Sequence, residues 1–449
     1  MIKTPCLNNA SPPFFSLIDF SLKNQTAKND LNTPMPLSQK MPRNESHCKQ
    51  NRHIQIIFDR CLKHKLRKNE INNIILFTRR FDQNLLTKMP PDEFGSQHIS
   101  IKKAQELSGI RLPLSLTKEE SGKWILHLKT KYGAFIGNGV AKKAKTSMEL
   151  EEGKILVSLT SRQTDPRDPI LSRESLSREA QIAREAYKKR GLAGIRSASS
   201  YIGKRGYHKI SMIMDYYEEG DLFDRIKGSQ TKLTPLEERK VVNDLIEGLF
   251  SMKKMGIVHL DIKLENVLLK REKEISAAFA DFGFARKVGD DLICAGTPHY
   301  MDPNLFIDDL REISPYREKI DIYSFGILIT AMLTKIPGPI FSNDSRFVMN
   351  YKRKLVKNND IDEQKERLTS YHRNCNRIFR MYLKSQLNKE NYFGKKWRIE
   401  LLYLGLSCLD LNLKSRPTLE DFQEKYLDIE KKYLKIKKEA PHNACYSLE

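Results

Sequence analysis

Apolar residues recur at two different spacings along this chain, and the change from one to the other divides it. Residues 1 to about 50 show no apolar period and are rich in Asn, Ser, Pro and Lys, which predicts a disordered tail. From His53 to about Met89 the spacing is helical, with Ile54, Ile57, Phe58 and Cys61, then Ile74, Ile75 and Phe77, set among basic residues. From Lys123 onward short β-rich runs take over: W-I-L-H-L, Y-G-A-F-I, and K-I-L-V-S-L after the turn-like E-E-G. A small antiparallel sheet is predicted there. The prolines of D-P-R-D-P break regular structure, and Leu176 to Arg190 then reads as an amphipathic helix. Beyond Asp221 helical patterns dominate, with Leu236 to Met255, Asp321 to Leu333 and Trp397 to Leu409 the clearest. Sheet first and helices after predicts a two-lobed α+β protein.

At 449 residues, with 39% hydrophobic and 30% charged side chains, the chain can bury a sizeable core and is globular in composition. No stretch approaches the ~20 apolar residues of a bilayer span. The net charge of +22 comes from lysine and arginine scattered along most of the sequence. Such a field can steer a protein toward nucleic acid, anionic membranes or acidic substrates, but scattered charge reads first as a solvated surface. Nucleic acid is therefore set aside as a partner, to return only if binding shows a steep salt dependence. Cys6, Cys48, Cys61, Cys294, Cys375, Cys408 and Cys445 include no C-x-x-C pair, which fits a reducing, cytoplasmic compartment better than disulfide or zinc chemistry. The amino terminus lacks an apolar core of signal-peptide length.

The chemistry concentrates in I-V-H-L-D-I-K-L-E-N-V-L-L, Ile257 to Leu269. Phosphoryl transfer to a hydroxyl needs a carboxylate to orient the nucleophile, cations to hold phosphate charge, and ligands for a metal. Asp261, Lys263 and Asn266 supply that set. Fifteen residues after Asn266, A-D-F-G-F-A-R places Asp281 at a turn beside Gly283, where a carboxylate is a hard oxygen ligand suited to Mg²⁺.

Together these motifs resemble the protein kinase superfamily. The likeness extends to G-T-P-H-Y-M-D-P-N (Gly296 to Asn304), similar to the end of the activation segment, and to D-I-Y-S-F-G (Asp321 to Gly326), similar to the helix that anchors the catalytic loop. It also takes in S-R-P-T (Ser415 to Thr418), the hinge-like M-I-M-D-Y-Y-E-E-G-D-L (Met212 to Leu222), and S-R-E-A-Q-I-A (Ser177 to Ala183), similar to the regulatory helix. It covers roughly Tyr132 to Tyr426. The resemblance implies a bilobal kinase domain over 121–430, between a helical extension at 51–120 and a tail at 431–449. It implies ATP and Mg²⁺ as cofactors and a protein as substrate. Asp261 would be the base, with Lys263 and Thr297 beside it, and Asn266 and Asp281 the metal ligands. Gly137, Gly139, Lys143 and Glu179 would serve the phosphates, and Met214 (the gatekeeper), Asp215, Tyr217 and Leu268 the adenine. His259 is expected to support the loop. Lys263 and Thr297 resemble the serine/threonine class.

Several positions depart from the pattern. The phosphate-covering loop has Gly133, Gly137 and Gly139 but no G-x-G-x-x-G. Where the strand lysine belongs, K-I-L-V-S-L puts Leu159, leaving Glu179 without its expected partner. Three readings stay open: a catalytically inactive pseudokinase, a lysine reaching in from the preceding strand, or V-A-K-K being the strand itself. Two alignments favour Lys143, with Lys142 its nearest rival. Leu260 replaces the arginine that grips a phosphorylated activation loop, and between Phe284 and Pro303 the only hydroxyls are those of Thr297 and Tyr300. Asn304 stands where a glutamate usually pairs with the late arginine, so Arg416 is expected to donate a hydrogen bond to its side-chain oxygen without forming a full ion pair. The divergent small lobe resembles kinases that intracellular bacteria deliver into host cells, which would place the protein in a host cytosol.

Overall fold

The computed structural model describes residues 67–81, 88–128, 135–138, 142–161, 172–203, 206–227, 232–297, 300–306, 310–311, 313–334 and 392–439. The expected tail over 1–50 lies outside them. The chain divides into two compact units, one of residues 1–180 with 195–216, the other of 181–194 with 217–449.

The first unit is built on an eight-stranded antiparallel sheet. Its strands are β1 (Gln97–Ile99), β2 (Ser115–Lys118), β3 (Trp124–His127), β4 (Phe135–Asn138), β5 (Lys142–Glu149), β6 (Ile155–Ser161), β7 (Ile195–Ile202) and β8 (His208–Asp215). They run in the order β1-β2-β3-β5-β6-β8-β7, with β4 also pairing β5. Helix α3 (Arg173–Glu185) follows β6 and carries Glu179.

The segment expected to be a helical extension is in fact mixed. It contributes α1 (Lys68–Arg80) and α2 (Ile101–Ser108), but also β1 and β2, which join the sheet through β3. Leu112, Leu114 and Leu116 alternate at strand period, and all three are buried. On α1, Ile71, Ile74, Ile75 and Phe77 form one buried stripe at helical spacing. They pack with Trp124, Leu126, Met148 and Leu150 in one cluster, and Phe77 and Phe81 both meet the Trp124 ring edge-on. Each such side chain contributes roughly 1.5–3 kcal/mol when fully buried. Four from α1 alone make the extension part of the folded unit.

The second unit is mainly helical. It comprises α4 (Leu222–Lys227), α5 (Pro235–Lys254), α6 (Arg317–Thr334), α7 (Tyr392–Ser407) and α8 (Leu419–Glu439), with short strands β9 (Ile257–Val258), β10 (Val267–Arg271), β11 (Ile275–Phe279) and β12 (Arg286–Lys287). Thr234 and Glu237 form a capping box ahead of α5, whose Val241, Leu245, Ile246, Leu249 and Met252 are buried. Helix α6 is buried on every side from Ile320 to Leu333, as expected of a helix apolar all round. A Cβ on its Gly326 would lie 2.5 Å from the Gly405 carbonyl oxygen, so glycine there permits the close approach of α7. Helix α8 runs through the position where a C-terminal tail was expected to begin.

The ion pair of the late arginine survives, contrary to expectation. Arg416 is fully buried and forks onto the carboxylate of Asp302, two residues before Asn304. Asn304 instead donates to Asp302 and to the Leu411 carbonyl. The acid has moved along the turn, and the amide completes its hydrogen bonding. Removing one partner of such a pair strands a buried charge, which typically costs about 3–5 kcal/mol. Asp302→Ala is therefore expected to lower the melting temperature by roughly 10 °C, with Asn304→Ala much milder. A thermal melt showing the two variants alike would contradict this account.

Candidate active site

The catalytic loop of the second unit is set by α6 from below. Asp321, wholly buried, accepts the backbone N–H groups of His259 (2.6 Å) and Leu260 (3.0 Å). Burial pushes its carboxyl above the usual range, while these two N–H donors and His259 act in the opposite direction. The bonds hold Leu260 at φ +64°, a left-handed conformation that is an outlier for a branched residue. Its side chain is buried with Val258, Leu292, Met301, Leu305 and Ile320. His259 is buried as well. Its Nε2 donates to the Ala280 carbonyl (3.1 Å), which ties the loop to the residue before Asp281.

Asp261 sits at the centre of a closed set of donors. Its Oδ1 accepts the Thr297 backbone N–H (2.7 Å) and its Oδ2 accepts the Asn266 side-chain amide (2.9 Å). Lys263 Nζ lies 2.9 Å from the same Oδ2 and donates to the Thr297 hydroxyl (2.7 Å). Burial opposes charge on Lys263, but the neighbouring Asp261 carboxylate, with Asp281 adding to it, raises its pKa overall. The structure thus brings Asp261, Lys263, Asn266 and Thr297 into one network. Gly296 makes the contact possible at φ +122°, because a Cβ there would fall 2.3 Å from the Leu260 carbonyl oxygen.

Asn266 gives its amide nitrogen to Asp261, which leaves the side-chain oxygen for a hard cation. Asp281 is exposed, at φ +65°. Among the described residues, no three His, Cys, Asp or Glu side chains group closely enough to hold a metal alone. Two oxygen donors suit Mg²⁺, which keeps waters and takes further oxygens from bound phosphates.

In the first unit the lysine that pairs with Glu179 is Lys142, not the expected Lys143. Lys142 Nζ pairs with Glu179 Oε1, whereas Lys143 is exposed. Side chains alternate along β5, so these neighbours face opposite sides of the sheet. Lys142 and Ala144 share a face, and Ala144 is the cross-strand partner of Leu159. The ammonium therefore comes from one strand over and two residues along, on the face where Leu159 stands in the lysine's usual place. Both alignments that selected Lys143 mis-set this two-residue period.

The other expected nucleotide residues divide between the units. Met214 is buried on β8 opposite Val157, and Asp215 pairs with Lys154 at 2.7 Å. Gly137 lies within β4, paired with Ala144 next to a bulge, so it is strand rather than loop tip. Gly139 lies outside the described residues. In the second unit Tyr217 is half-buried and Leu268 is buried on β10, bridged to Asp221. Sequence reasoning missed Asp302. Its signal was an acid two residues from the expected glutamate.

A protein kinase domain model matches residues 131–427. The chain belongs to the protein kinase family. It is 32% identical over 141 residues to a probable myosin light chain kinase of Dictyostelium discoideum, covering 31% of this chain and 44% of that protein. To myosin light chain kinase 2 of skeletal and cardiac muscle from Rattus norvegicus it is 32% identical over 146 residues, covering 32% and 23%. A dual specificity protein kinase of Dictyostelium discoideum is 33% identical over 126 residues, 27% of this chain and 9% of that one. The chain spans less than half the length of these curated relatives. Among the described residues, no helix of this kinase is long and apolar enough to cross a membrane.

Proposed function

We propose that this kinase is catalytically active and transfers the γ-phosphate of ATP to serine or threonine hydroxyls of protein substrates. The observation that carries this reading is the Asp261 network, in which every donor expected around a catalytic carboxylate is present at hydrogen-bonding distance. Asp261 orients the acceptor hydroxyl and takes its proton. Lys263, held between Asp261 and Thr297, offsets charge building on the transferred phosphoryl group. Its bond to the Thr297 hydroxyl supports the serine/threonine assignment. Asn266 and Asp281 would hold Mg²⁺, which neutralises phosphate charge when bound. Lys142, fixed by Glu179, would hold the α and β phosphates. The alternative, a pseudokinase serving as a binding scaffold, rested on the missing strand lysine, and the Lys142–Glu179 pair weakens that argument. Incubating the purified full chain with Mg²⁺ and radiolabelled ATP, with and without a general serine/threonine acceptor protein, tests the reading. Absence of Mg²⁺-dependent transfer would favour the scaffold.

Regulation should differ from kinases that grip a phosphorylated activation loop. Leu260 cannot hold a phosphate, and it packs instead with Leu292, Met301 and Leu305, with Phe284 and Ile293 against the same cluster. Apolar burial here holds the segment in place of an ion pair. Phosphatase-treated enzyme is expected to keep its rate. A collapse restored by phosphorylating Thr297 or Tyr300 would show otherwise.

A further inference from the structure

The sheet of the first unit curls until its ends meet. His98 of β1 stacks on Tyr201 of β7 with centroids 3.8 Å apart, and Asp92 accepts the Ser200 backbone N–H. The strand registers sort residues into two faces. Lys142, Val157 and Met214 lie on the face assigned above to the nucleotide. The opposite face is enclosed by the curl and is layered. At one end Glu149 is neutralised by Lys123 (2.6 Å) and Arg196, which also reaches Glu119. Ile125, Leu156 and Ile213 then form an apolar plug.

Beyond the plug the lining is polar and uncharged. Thr117 bridges His98 (3.1 Å) and His127 (2.7 Å), and Ser158 and Ser211 share a hydrogen bond of 3.0 Å. Burial, with help from neighbouring His127, depresses His98 to about 3; burial and the charge of Lys145 depress His127 to about 4. Both rings are therefore neutral. Ser199 lies on this face, cross-strand from Ser211, and its hydroxyl is buried without a hydrogen-bond partner. At the open end the same face carries Lys143, Lys145 and Lys209. Among the described residues no carboxylate pairs with any of them. Lys209 donates only a long bond to the Ser161 carbonyl (3.5 Å), and burial together with the other two lysines lowers its pKa.

Three mutually repelling ammonium groups above a layer of neutral donors, one of them unsatisfied, cost stability unless an anion compensates them. We propose that this face binds a phosphorylated small molecule, its phosphate held by Lys143, Lys145 and Lys209 with hydroxyl donors from the layer beneath. The ligand is either a soluble polyphosphate or the headgroup of a phosphorylated lipid. Its site is on the other side of the sheet from Lys142, so it does not compete with ATP.

The test uses the full chain with Mg²⁺ and a non-hydrolysable ATP analogue at saturation. Pyrophosphate is titrated by calorimetry and by thermal shift. In a second arm, phosphatidylcholine vesicles with and without a phosphatidylinositol phosphate are sedimented with the protein. Binding in at least one arm is expected despite the analogue. The Lys145→Gln/Lys209→Gln double variant should weaken it by roughly tenfold or more, while Lys123→Gln at the far end should not. Without ligand the double variant should melt at a higher temperature than the parent, because repulsion is relieved. Pyrophosphate binding without vesicle retention assigns a soluble ligand, and phosphoinositide-dependent retention assigns the lipid. Failure to bind in both arms, displacement by the ATP analogue, undiminished binding by the double variant, or its lower unliganded melting temperature would each overturn the proposal.

Discussion

Lys142→Met is expected to reduce phosphotransfer by roughly 10²- to 10³-fold, the usual cost of removing a preorganised donor to transition-state charge. Lys143→Met is expected to leave the rate nearly unchanged. The two side chains are adjacent in sequence but lie on opposite faces of β5, and only Lys142 meets Glu179. The loss should be shared by Glu179→Gln, since an unfastened ammonium gives up its preorganised position. A radiolabelled-phosphate assay on the purified variants checks all three. Normal rates in Lys142→Met would mean that the phosphates are held by some other group, and a loss confined to Lys143→Met would reverse the assignment.

Asp261→Ala is expected to abolish detectable transfer, a loss of ~10²- to 10⁴-fold for a base that also orients the nucleophile. The same substitution removes the acceptor for Thr297 N–H, for the Asn266 amide and for Lys263, so part of the effect will come from a loosened loop. Asp261→Asn separates the two contributions, because it keeps one acceptor oxygen while removing charge. Asp281→Ala should be as severe through loss of a metal ligand, yet structurally mild, because that residue is exposed. Measured rates beside melting curves decide the matter. Full activity in either alanine variant would remove the mechanism assigned to it.

Much of this was legible from the chain because the residues concerned are local. The spacing from Asp261 to Lys263 and Asn266 is set by one tight loop, so their meeting required no knowledge of distant packing. Helices α5, α6 and α7 of the second unit announced themselves by period, whereas α8 continues past residue 430, where a tail was expected. The choice between Lys142 and Lys143 depended on strand phase, which a one-residue slip reverses completely. The ion pair of Arg416 was misread for a related reason, since the turn around Pro303 presents Asp302 rather than Asn304. The strands at Gln97–Ile99 and Ser115–Lys118 were missed because they are short, one follows a proline, and their partners are other strands rather than anything in their own sequence.

Those added strands bear on where the molecule can be cut. The span matched by the family begins at residue 131, after β3. A fragment starting there would leave Ser147 to Glu149 of β5 without the ladder partners they now have in Ile125 to His127, and would uncover Met148 and Leu150. An unpaired strand flanked by bare apolar surface is a template for pairing with other chains. Such a fragment is expected to be recovered largely as aggregate, whereas a fragment beginning before Lys68 should be monodisperse in size-exclusion chromatography. Sequence-defined domain limits would thus place the first residue inside the folded body, and a truncated enzyme found inactive would report lost solubility rather than lost chemistry.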